Sequence, residues 1–127
     1  MAVDWVRQLC LSFPHATENV QWGDDLVFKI AGKMFVVLKL EAGGNWLAFK
    51  CTPEEFAELV ERHGVIPAPY LARAHWVALE RNDAIPRAEL QRLLRKAYDL
   101  VTAKLPKKTQ AALEKSTASP QRAGRGA

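Results

Sequence analysis

Four lysines, Lys29, Lys33, Lys39 and Lys50, recur between residues 26 and 51, with Phe35 and Trp46 set among them. Ammonium groups neutralise phosphates and release their counterions, and flat rings stack on bases. Lysines interleaved with aromatics on a sheet therefore suit a single-stranded nucleic-acid surface. The plainer role of the same residues is protective, because Lys blunts exposed sheets and edges against aggregation. The choice between the two rests on whether these side chains share one open face.

A second grouping is Trp22, Tyr70, His75 and Trp76. Clustered Trp and Tyr often mark a pocket for a small molecule or a partner protein. Taken singly, His75 also reads as an ordinary strand-end histidine. Arg92, Arg95 and Lys96 share one face of a helix, which is either a solvated face or a place to meet phosphates. Gly23-Asp24-Asp25 places two carboxylates at a strand entry, where Asp serves a turn more often than a cation.

Enzyme chemistry is thin, and the expectation is a protein that is not an enzyme. His15, His63 and His75 form no spaced pair, and Cys10 and Cys51 lack a C-x-x-C partner, so no metal or cofactor is expected. No Walker loop, G-x-S-x-G or G-x-G-x-x-G occurs. Nothing pairs a nucleophile with a base.

The elements that must position these residues follow from hydrophobic spacing. Val3, Val6, Leu9, Cys10 and Phe13 predict a helix over 3–13, stopped by Pro14. Thr17 to Trp22 reads as a strand. Leu26, Phe28 and Ile30, then Met34, Val36, Leu38 and Leu40, then Leu47, Phe49 and Cys51 alternate with their neighbours, giving three meander strands joined by glycine turns. On this alternation Lys29, Lys33, Phe35, Lys39, Trp46 and Lys50 all face away from the core. Thr52-Pro53-Glu54-Glu55 is a capping box opening a helix that Gly64 is placed to end. Val65 to Tyr70 is an extended or looping stretch, His75 to Leu79 a last strand, and a long helix follows Pro86 to near Leu105. The order α-β-β-β-β-α-β-α predicts an α+β fold, an antiparallel sheet with helices packed on one face.

The chain of 127 residues fits one domain, and its 49% apolar and 25% charged residues are ordinary for a globular protein. No apolar run is long enough to span a membrane, and no signal peptide is recognisable at the N-terminus. Two cysteines and no leader point to the cytoplasm. The net charge of +4 lies entirely in residues 106–127, while residues 1–105 balance to zero. The division expected is a single domain over 1–105 and a disordered basic tail over 106–127.

The segments Phe13-Pro14-His15-Ala16-Thr17-Glu18 and Trp22-Gly23-Asp24-Asp25-Leu26-Val27-Phe28-Lys29-Ile30-Ala31-Gly32-Lys33-Met34-Phe35 resemble the MmcQ/YjbR family of small bacterial proteins. Phe49-Lys50-Cys51, Pro69-Tyr70-Leu71, His75-Trp76-Val77 and the stretch from Ala97 to Lys108 resemble it too. The resemblance implies a frataxin/CyaY-like α+β sandwich and a "double-wing" DNA-binding arrangement, with DNA or another polyanion as partner. It brings no catalytic residues. It brings no iron site either, since the first helix offers only Asp4.

Overall fold

The computed structural model describes residues 2–21, 23, 25–39, 46–69, 71–81 and 83–118, the side chains of 2–3 and 115–118 excepted. Its first element is helix α1 (Ala2–Ser12). Val6 and Cys10 are one turn apart on its inner side and are wholly buried, with Phe13 just beyond. Strands β1 (Ala16–Gln21), β2 (Asp25–Ile30), β3 (Lys33–Lys39) and β4 (Leu47–Lys50) follow. The expected capping box is formed. Thr52 Oγ1 accepts from the Glu55 amide at 3.0 Å, Glu55 accepts from the Thr52 amide at 3.0 Å, and Pro53 opens helix α2 (Pro53–Leu59).

Val65–Pro67, expected only as an extended or looping stretch, is strand β5, antiparallel to β6 (Trp76–Leu79). Pro67 is tolerated because β5 is an outer strand. Among the described residues the six strands run β1-β2-β3-β4-β6-β5, every neighbouring pair antiparallel. Helix α3 (Arg87–Ala103) turns Leu90, Leu94, Ala97, Tyr98 and Val101 into the core. With α1, it covers one face of the sheet, over Leu26, Phe28, Ile30, Val36, Leu38, Leu47 and Phe49.

Two further expectations about the fold fail. Residues Lys107–Ala118, read as tail, form helix α4. Its stretch KKTQAALEK consists almost wholly of good helix formers. Leu113 packs on the core, and Gln110 Nε2 holds the carbonyls of Leu105 and Ala103 at 2.7 and 3.3 Å. Residues 119–127 lie outside the described residues.

The second failure concerns Phe35, which is fully buried instead of facing solvent. Its ring meets Tyr98 edge-on at 5.5 Å and Phe13 at 6.0 Å. The cause is a bulge. Phe28 pairs with Val36 but Lys29 with Met34, so Phe35 is the extra residue of β3 and drops to the helical side. We expect Phe35→Ala to lose about 3–5 kcal/mol of stability in urea unfolding; a loss under about 1 kcal/mol would show the ring is not in the core.

Candidate functional site

The bulge also decides where the lysines go. Lys33 pairs with Ile30, a core residue, and so stands on the helical side of the sheet end. Lys29, Lys39 and Lys50 keep the other face, by their pairing with Met34, Asp25 and Trp76. Lys39 Nζ is held by both carboxylate oxygens of Asp25 at 3.1 Å. Lys50 Nζ donates to the Ala74 carbonyl at 2.8 Å, and burial followed by the charge of Lys104 lowers its pKa. Trp46 leaves the outer face altogether. It packs against the helical-side core and donates its indole N–H to the Arg81 carbonyl at 2.8 Å. The six residues expected on one open surface are therefore divided between two faces, and two of the three outer lysines are engaged.

The outer face is instead apolar and partly roofed. Val27, Val37, Ala68, Trp76 and Ala78 form a second buried cluster, with Met34, Ala48, Ile66 and Leu71 against it. The roof is formed by Ala68, Pro69 and Leu71 and by the one turn of 3-10 helix at Ala72–Ala74 that leads to His75. It closes on itself through Ala68 N–H to Trp76 O at 3.0 Å and Leu71 N–H to Ala68 O at 3.1 Å. Its far end is pinned to β4 by Lys50 on Ala74 O and by the Cys51 amide on His75 O at 2.9 Å.

Between roof and sheet lies a groove of about 520 Å³ lined by Met34, Val37, Ala48, Ala68, Leu71 and Ala78, with Asp25 and Lys39 also on its wall. Three alanines explain the hollow: side chains of Leu or Ile size at 48, 68 and 78 would fill it. Asp25 begins β2 and Lys39 ends β3, so the ion pair marks one end of the groove and Met34 the other. Asp25 is 9% exposed and is the one buried charged residue among the described residues. Its partner Lys39 is 45% exposed, so the pair keeps contact with water.

Of the aromatic pocket expected from Trp22, Tyr70, His75 and Trp76, the described residues His75 and Trp76 have different surroundings. The His75 ring packs edge-on against Phe56, 5.6 Å away, and Phe56 belongs to the helical-side core. Trp76 lies in the outer cluster. Trp22 and Tyr70 lie outside the described residues. The groove runs beside this grouping, and its signal in the sequence was Val27 and Val37. Strands apolar on both faces are covered on both faces. On α3, Arg95 is held by Asp99 at 3.1 Å and lies over the rings of Phe13 and Tyr98, while Arg92 Nη1 reaches the Ala88 carbonyl at 3.4 Å.

Cys51 and His75 are neighbours that meet through the backbone. The Cys51 thiol donates to the His75 carbonyl, not to its ring, at 3.3 Å. Burial, with Glu55 adding to it, pushes that thiol up to about 12, and burial alone pushes Cys10 to about 12. No three metal-binding side chains cluster among the described residues, and no described helix is long and apolar enough to cross a membrane.

A family model described as YjbR matches residues 11–100, so the chain belongs to the YjbR family. A solved Deinococcus radiodurans protein with a DUF419 domain is 30% identical, with 88% of this chain and 87% of that one covered, at a TM-score of 0.78. A Pseudomonas syringae protein shares the fold at 19% identity and a TM-score of 0.64, over 79% of this chain and 98% of that one. No curated protein matches.

Two outcomes follow from this geometry. Iodoacetamide at pH 8 leaves both cysteines unmodified in the native protein and modifies both in urea, as read by intact mass; rapid native labelling of Cys51 would mean an activated thiol. In a double-mutant cycle of Asp25→Asn and Lys39→Met, the coupling measured by urea unfolding is about 1 kcal/mol, the upper end for a pair with one partner in water; zero coupling would remove the ion pair from the site.

Proposed function

We propose that this YjbR-family chain is a non-enzymatic binding module that holds a small molecule in the outer-face groove. The groove itself carries the reading. Its volume of about 520 Å³ falls within the range of roughly 300–1,000 Å³ common to small-ligand sites. Its lining is apolar except for Asp25 and Lys39. An apolar body would replace water along Met34, Val37 and Leu71, at about 25 cal/mol for each Å² covered. At the end of the groove, a carboxylate and an ammonium stand side by side with no net charge. A head group that both donates and accepts, uncharged or zwitterionic, matches that pair better than a lone anion or cation does.

The arrangement of Cys51 and His75 supports a binder over a catalyst, since the thiol is held protonated on a carbonyl. The same geometry removes support from the lysine and aromatic platform for DNA, with Phe35 buried, Trp46 turned to the core and Lys39 paired. Lys29 remains the outer lysine with the best claim on a phosphate.

Trp76 sits in the cluster that lines the groove and serves as a built-in reporter. Its fluorescence is titrated with a panel of apolar amino acids and uncharged amphipathic metabolites, and separately with oligonucleotide, each at low and high salt. The reading expects a saturable, salt-insensitive response to at least one small molecule, abolished in Ala48→Phe, which fills the groove. Silence across the panel, or a response confined to oligonucleotide and lost in salt, would contradict it.

A further inference from the structure

The two edges of the sheet are unlike. The β5 edge is three residues long and carries Pro67, which has no N–H to offer an incoming strand. The β1 edge is six residues long, ATENVQ, and pairs with β2 one to one without a bulge. It contains no Lys and no Pro. No strand pairs with its other side among the described residues. Val20, on this strand, is 57% exposed, the one large apolar side chain so exposed among the described residues. An edge of this kind is a template for another strand.

We propose that β1 is the pairing edge of a homodimer, in which a second copy joins antiparallel and the two sheets become one. The choice of occupant comes from the strand's own pattern. Ala16 packs on the core and Glu18 reaches Arg7 of α1, so the even-numbered residues face the helices, and Thr17, Asn19 and Gln21 face the other way. An antiparallel pair of identical strands is related by a two-fold axis normal to the sheet. That rotation keeps each residue on its own face, so only residues of like parity can stand opposite one another.

Two registers then cover most of the strand. With the axis at Glu18, two carboxylates face each other, which is unfavourable. With the axis at Asn19, Asn19 meets its copy, Thr17 meets Gln21, and Glu18 meets Val20. Asparagine carries both donors and acceptors, so two copies satisfy each other. The charge of Glu18 is already neutralised within its own chain by Arg7, and the stem of Arg7 is available to cover the second copy's Val20. No like charges stand directly opposite one another in this register.

Sedimentation velocity between about 1 and 500 μM, with single-cysteine cross-linking, tests the proposal. The wild type shifts from monomer to dimer as concentration rises, and Asn19→Lys, which sets two ammonium groups at the axis, weakens dimerisation at least tenfold with an unchanged melting curve. Residues at the axis have Cα atoms roughly 4.5–5.5 Å apart, within disulfide range. Under mild oxidation Asn19→Cys therefore cross-links with itself, whereas Thr17→Cys, facing Gln21, does not. A monomer at every concentration, a dimer untouched by Asn19→Lys, or equal cross-linking at 17 and 19 would each overturn it.

Discussion

The hairpin between β2 and β3 turns in two residues, Ala31 and Gly32, both with left-handed φ, at 51° and 80°. That length forces Ile30 opposite Lys33, residues of unlike parity. Further along, the hydrophobic pattern requires Leu26 opposite Leu38 and Phe28 opposite Val36, residues of like parity. Both demands are met only if one strand carries an extra residue, and Phe35 is that residue. The conflict between a short turn and an apolar pattern thus drives a ring into the core between Phe13 and Tyr98.

The remaining features of the site follow from this shift in phase. Met34 turns outward and becomes one end of the groove, and Lys33 leaves the outer face. Val27 and Val37 keep the outer side and need cover, which Ala68, Pro69 and Leu71 supply. Cover over small side chains leaves space, because Ala48, Ala68 and Ala78 cannot reach across it. Asp25 opposite Lys39 then sets a polar end on an otherwise apolar hollow. A sheet with helices on one face thereby gains a second, smaller cluster on the other.

Most elements were legible because each has its own local signal. The α2 capping box, the meander and the stripe of α3 depend on neighbours in sequence, and all are present. The faces of β3 were harder to read. Strict alternation puts Phe35 outward, yet a two-residue turn followed by a parity change already implied a bulge. Trp46 escaped because it precedes the strand, where alternation has no hold, and its indole follows a carbonyl at Arg81, 35 residues away. Strand β5 had too few residues to show a period, and α4 offers one large apolar side chain, Leu113, too sparse a signal to set against a polar composition.

The groove and the core both depend on the phase of β3, and nuclear Overhauser contacts read that phase directly. The bulge at Phe35 predicts contacts from the Phe35 ring to the Phe13 and Tyr98 rings, and from the Met34 methyl to the methyls of Val27, Val37 or Ala78. Contacts from Met34 to the helical-side core, with a Phe35 ring that touches none of its expected neighbours, would contradict it.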